Sequence, residues 1–121
     1  MANDSTFRKV RLNGEDHVLK FDFNAISELE RFYDKGIFFI VNDETMGFNS
    51  VRAILWAGML WKNPNLKVHH VGSMLEQEME ENEDFDLTEM MKFTAEALYT
   101  SKAFQLLAKR AKKQEETEGK N

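Results

Sequence analysis

The chain has 121 residues, 42% of them hydrophobic and 12% aromatic, which suits one domain with its own core and excludes an intrinsically disordered chain. Sixteen basic and 21 acidic residues give a net charge of 16 − 21 = −5, so the broadly basic surface that non-specific nucleic-acid binding draws on is absent. With no cysteine there is no disulfide framework, thiol nucleophile or thiolate metal site, a composition that fits a reducing compartment.

The opening stretch, MANDSTFRKV, has no charged segment leading into an apolar one, so no signal peptide is expected. FRKVRLNGEDHVLKFDF then reads as a β-hairpin. Val10 and Leu12 alternate with charges, as do Leu19, Phe21 and Phe23, and Asn13-Gly14 is the turn signal because both residues tolerate positive φ. A two-residue loop pairs Val10 with His17. A four-residue loop, Asn13 to Asp16, pairs Val10 with Leu19 and Arg8 with Phe21. Both keep the apolar residues on one face, and the longer loop is preferred because it sets more apolar side chains opposite each other.

DFNAISELERFYDKG reads as the first helix, capped by Asp22 or Asn24, with Ile26, Leu29 and Tyr33 on one stripe and Gly36 as its C-terminal stop. IFFIV is a short third strand or a buried connector; five residues do not decide it by periodicity. NDETMGFNS is a loop, from which Phe48 and Asn49 staple and cap a second helix running to about Lys62. Apolar residues nearly encircle that helix, from Val51 through Trp61, so it is central to the fold or buried by a partner. Its longest apolar run, residues 53–61, is nine residues against the ~20 a membrane span needs. Pro64 biases Asn63 out of helical geometry and ends it.

The third helix covers about Val68 to Glu80, with Val68, Val71, Leu75 and Met79 on one stripe. EQEMEENEDFD, seven acidic residues in eleven, is a solvated end and linker. Asp86 with Glu89 opens a fourth helix, whose stripe of Leu87, Met90, Met91, Ala97, Leu98, Phe104, Leu107 and Ala111 runs to about Lys112. Lys109, Arg110, Lys112 and Lys113 sit where cations favour the helix C-terminal dipole. The fold expected is α+β and mostly α, an N-terminal β-hairpin packed on a bundle of about four helices. One domain spans residues 1–112, and residues 113–121 form a disordered charged tail.

Candidate chemistry is sparse. His17 sits in the hairpin, and His69 and His70 are adjacent on a helix, pointing about 100° apart where a metal pair needs i, i+4 spacing. The acidic run from Glu76 to Asp86 lacks the glycine and oxygen spacing of a calcium loop. No nucleophile elbow, phosphate loop or dinucleotide fingerprint occurs, and Glu28 and Glu30 are two positions apart on a helix and do not face each other. No catalytic, cofactor or metal residue is therefore assigned. Helices two and three flank a short turn, but VHHVGSMLEQEME as a DNA recognition helix brings Glu76, Glu78 and Glu80 towards phosphates, which electrostatics opposes. Gly58 and Gly72 lie inside helices, where each costs about 1 kcal/mol against alanine, so close helix packing is their expected reason.

Trp56, Met59, Leu60 and Trp61 are the candidate partner-binding residues, because Trp and Met are enriched at interfaces. The two tryptophans are five positions apart, about 140° around a helix, so one face does not bury both. Trp61 continues the Val51-Ile54-Gly58 stripe and is expected in the core, with Trp56 outside.

The order of these segments resembles the tail assembly chaperones of long-tailed bacteriophages and prophages. In that family a phrase like L-x-F-x-F-N-A-I-x-x-L-E opens the first helix, here residues 19–30. A phrase like L-R-x-L-L-W-A-G-L…P-x-L-T-x-E-E-V-G-x-L-L fills the middle, here residues 51–75. The resemblance covers roughly residues 15–110 and consists of packing motifs. The chain departs from it at Lys67 to His70, where the family often has a threonine cap and acidic residues.

The resemblance implies a non-catalytic factor without cofactors that coats the long, apolar, helical tape measure protein and associates with itself before the tail tube polymerises. It implies location in the bacterial host cytoplasm and absence from the finished virion. It also implies a longer, frameshifted product reaching the tail tube protein, this chain being the short form. No nucleic-acid or membrane partner is expected. The alternative from another class is a structural adaptor of the phage head-tail neck, which stays in the virion.

Overall fold

Asn13 and Gly14 both adopt positive φ, 55° and 76°. That pair of angles makes the mirror-image turn whose twist matches two antiparallel strands. It closes β1 (Phe7–Leu12) directly onto β2 (Glu15–Lys20), with Val10 opposite His17 and Arg8 opposite Leu19. The loop is thus two residues long, and the four-residue loop preferred from the sequence is incorrect. Cross-strand apolar pairs contribute only about 0.2–1 kcal/mol each, and an Asn-Gly turn of native twist outweighs them. The buried face survives the change of register: Leu12, Leu19 and Phe21 are wholly buried.

The computed structural model describes residues 6–42 and 47–119, with side chains through residue 111. Asp22 caps α1 (Phe23–Tyr33), its carboxylate accepting from the Ala25 N–H at 2.9 Å. Asp34, in left-handed geometry at φ 56°, ends the helix, so Gly36 is not the stop. Gly36 instead precedes α2 (Ile37–Val41), which is IFFIV wound as a helix and not a strand. Support comes from the preceding helix: the Glu30 carboxylate accepts the Ile37 N–H at 2.7 Å, satisfying one of the donors a helix start leaves open. Ile37 is buried, and Phe38 meets Phe104 edge to face with ring centroids 5.7 Å apart.

Most of the NDETMG loop lies outside the described residues. Helix α3 (Phe48–Met59) begins after Gly47, and Asn49 is not its cap. Asn49 lies in the first turn, where its side-chain oxygen accepts from Arg52 at 2.7 Å. The helix ends before Trp61, with Lys62 and Asn63 N–H groups turning back to the Met59 carbonyl ahead of Pro64. Helix α4 (Val68–Glu81) follows. It has neither threonine nor acid at its start, and His70 Nδ1 takes the role of the usual third-position glutamate, accepting the Lys67 N–H at 3.0 Å.

Asp86 opens α5 (Leu87–Tyr99) by accepting from Thr88 and Glu89 N–H groups. The single fourth helix expected from the stripe is broken in two. Ser101, fully buried, donates to the Leu98 carbonyl and accepts the Phe104 N–H, capping α6 (Lys102–Gly119). The charged tail expected at residues 113–121 has its side chains outside the described residues. The fold is α+β and mostly α, a hairpin followed by six helices among the described residues where about four were expected.

Helix α3 is the centre. It packs against β2, α1, α4 and α5, and Val51, Ala53, Ile54, Leu55, Ala57, Gly58 and Met59 are buried along it. Gly58 is where the hairpin lies closest. A Cβ built there falls 2.9 Å from Phe21 Cζ and 3.0 Å from Leu19 Cβ. Close packing is therefore the reason for this glycine.

The hairpin tip is tied to α4 through Glu78. Its carboxylate accepts the Asn13 N–H and the Asn82 side-chain amide, each at 2.7 Å. The Asn82 hydrogen bond first, then Asn13, hold its pKa below the ordinary 4.5, with a smaller contribution from Arg11 and burial opposing. A depressed folded-state pKa adds stability that is present above the ordinary value and lost as pH falls through the folded one. Glu78→Ala is expected to lower stability by about 1 kcal/mol at pH 7. The gap from the parent closes below pH 4.5, as urea melts across pH 3–7 will show.

Candidate partner-binding surface

Of the four residues singled out from the sequence, Trp61 is exposed, Trp56 and Leu60 are half-buried and Met59 is buried. Trp61 is 42% exposed, so the expectation that it fills the core is incorrect. The stripe gives the side correctly, since Trp61 faces β2 as Gly58 does, but Trp61 sits past the last residue of α3, at the open edge of the core. Its indole N–H instead donates to the Val18 carbonyl of β2 at 2.8 Å, and its ring stands edge to face with Phe7 at 5.6 Å. The ammonium groups of Lys20 and Lys62 lie 5.7 and 5.9 Å from the ring centre, within cation–π range.

Trp56 is the inner tryptophan, half-buried against the core. It donates to the Leu66 carbonyl at 2.8 Å, pinning the loop after α3, and its ring meets Phe32 at 5.9 Å. Met59 is only 5% exposed and belongs to the core, so it does not supply the adaptable outer contact expected of it. Leu60 is half-buried. With Trp61, Ala57, Pro64, Ala25, Lys20, Asp22 and Glu28 it lines a cleft of about 340 Å³ between α1 and the end of α3.

Phe7 was not singled out from the sequence. Its place as the first residue of β1, facing away from the Leu12-Leu19-Phe21 side, was the available signal. Together Phe7 and Trp61 make an exposed aromatic ledge at the mouth of the cleft. Two other apolar exposures were also missed. Phe23 and Phe39, 53% and 59% exposed, flank a groove shared by α1, α2 and Leu107 of α6. Phe48 and Met79 wall a second groove between α3 and α4.

The histidines fall in separate places. His17 is half-buried opposite Val10, and its Nε2 has no partner among the described residues. His69 and His70 have ring centroids 4.3 Å apart, with the ring planes tilted by 51°. No group of three or more His, Asp or Glu side chains that could hold a metal converges among the described residues. Among them, too, no helix is long and apolar enough to cross a membrane. What the surface offers is aromatic contact area beside hydrogen-bonding carboxylates and amines, an arrangement suited to holding a polypeptide.

Comparison with protein-family models, with curated proteins and with solved structures finds no match to this chain.

Proposed function

We propose that the chain is a non-catalytic tail assembly chaperone of a long-tailed bacteriophage or prophage, which binds the tape measure protein and further copies of itself during tail morphogenesis. The observation that carries the reading is the aromatic ledge of Phe7 and Trp61 beside the cleft under Leu60, held out from a well-packed core. Exposed rings of this kind give large contact area at little conformational cost, which suits a long, apolar, helical client. The resemblance in residues 19–30 and 51–75 supports it as well. Those phrases supply Leu19, Phe21, Leu29, Val51, Leu55 and Leu75, all wholly buried here. On this reading the protein works in the host cytoplasm and leaves the tail before it is finished.

Mass spectrometry of particles released by the encoding strain tests the reading against a head-tail neck adaptor. The chain is expected in lysates with the tape measure protein and not in purified particles; a stoichiometric ring's worth in the particles contradicts it. The gene carries a second test. Lys112-Lys113 invite an A-rich slippery run, so a frameshift within the codons for residues 111–116, opening a longer frame, is expected. A coding sequence with neither the run nor an overlapping frame removes the longer product that would reach the tail tube protein.

A further inference from the structure

The groove between α3 and α4 has a volume of about 610 Å³ and is lined by Phe48, Arg52, Gly72, Met79, Glu76 and Glu80, among others. Phe48 and Met79 are its exposed apolar walls, and Glu76 and Glu80 stand exposed on the α4 rim. Those two carboxylates are four positions apart on one helix, a like-charge pair that repels. Neither is in an ion pair among the described residues. Arg52 supplies one cation of its own, so the lining keeps a net charge of 1 − 2 = −1 with His69 neutral, and the exposed α4 rim favours an occupant that brings cations next to an apolar side chain.

The same chain carries such a segment. On α6, Leu106, Lys109 and Arg110 occupy i, i+3 and i+4, one exposed face within a single turn. The adjoining face of α6 packs inward through Ala103, Phe104 and Leu107, so Leu106, Lys109 and Arg110 stand at the exposed flank of the helix. Neither Lys109 nor Arg110 is in an ion pair among the described residues. Within one copy α6 packs on α1 and α5, whereas the groove lies between α3 and α4. Met79, Glu76 and Glu80 also fall within about one helical turn, so the two patterns are similar in length and opposite in charge.

We propose that the α3–α4 groove of one copy receives the basic α6 face of a second copy. Leu106 enters between Phe48 and Met79, and Lys109 and Arg110 pair with Glu76 and Glu80. The groove and the α6 face are different surfaces, so the contact is head to tail and builds a ring or an open chain of copies. The proposal rests on the self-association named above and adds its surface. It leaves the Phe7–Trp61 ledge free for the client.

Light scattering across a concentration series, on the full chain, tests it with two charge reversals. The parent is expected to reach at least twice 14.1 kDa, and less in high salt. Glu76→Lys/Glu80→Lys and Lys109→Glu/Arg110→Glu are each expected to weaken association at least tenfold, and an equal mixture of the two to restore it. Restoration requires both variants to be folded, so it also controls for misfolding. A parent of 14.1 kDa at every concentration overturns self-association and this interface with it. An associating parent whose reversals keep its mass, or whose mixture stays monomeric, overturns the interface alone.

Discussion

Gly58→Val is expected to destabilise the protein by about 3 kcal/mol, lowering the melting temperature on the order of 10 °C. Two effects oppose each other at this position. Removing a mid-helix glycine gains up to about 1 kcal/mol of helix propensity, less for valine, which is β-branched. Against it stands overpacking of about 1–3 kcal/mol or more. The space decides. The first carbon added meets Leu19 at its Cβ, so relief requires β2 itself to move and not merely a side-chain tip. Phe21, wholly buried, has nowhere to swing. Gly58→Ala, with one carbon, is expected to lose about 1 kcal/mol net. Thermal melts of both variants check the ranking; an alanine variant more stable than the parent shows that the hairpin does not rest on α3 as described.

The second large effect separates the tryptophans. Trp56→Ala is expected to cost about 3 kcal/mol, the low end for a tryptophan truncation because the ring is only half-buried. It leaves the Leu66 carbonyl without its donor and removes the support under Phe32. Trp61→Ala is expected to cost only about 1 kcal/mol, since its carbonyl partner on β2 sits at an exposed position where water replaces the indole. On the proposed function its effect is expected in binding, where loss of an aromatic anchor weakens a client complex by about 2 kcal/mol, roughly 30-fold. Paired melts and client pull-downs check this. Equal melting losses, or a Trp61→Ala variant that binds like the parent, contradict the division.

The division is the reverse of the one the sequence suggests, and the reason is general. Helical angles give a residue's side and not its depth: Trp61 stays on the β2 side that Gly58 marks, but past the end of α3, where the core is open. Pro64 announced the stop, and the Asn63 N–H does close a last turn onto the Met59 carbonyl, but nothing local said how much of Trp61 that turn leaves exposed. The break between α5 and α6 had a visible signal of the same kind. Leu98 and Phe104 are six apart, about 240° on one continuous helix, so a single helix does not turn both to the core. Thr100-Ser101 between them supplies side-chain oxygens that compete for backbone groups. The existence of the hairpin, α1 and α4, and the packing role of Gly58, were readable because turn chemistry, caps and periodicity are local.

α2 was not readable in that way. IFFIV has no period in five residues, and the carboxylate that supports its start lies seven residues earlier in the chain. The site was half legible for a similar reason. Trp61 and Leu60 could be marked by composition, but Phe7 reaches Trp61 across 54 positions of chain, and only the register of the hairpin brings them together. The Leu106-Lys109-Arg110 face was in plain view as a charge cluster, and the helix dipole accounted for it too readily. Its match to Glu76 and Glu80 depends on a groove that exists only once α3 and α4 pack.

Co-expression with a tape measure protein, the client proposed for this chain, tests the central claim most directly. With the chain present, that apolar protein is expected to become soluble and to co-purify, and Trp61→Ala to reduce the amount retained while remaining folded. A partner that stays insoluble while the chain elutes alone, or that is soluble and unbound without it, contradicts the account.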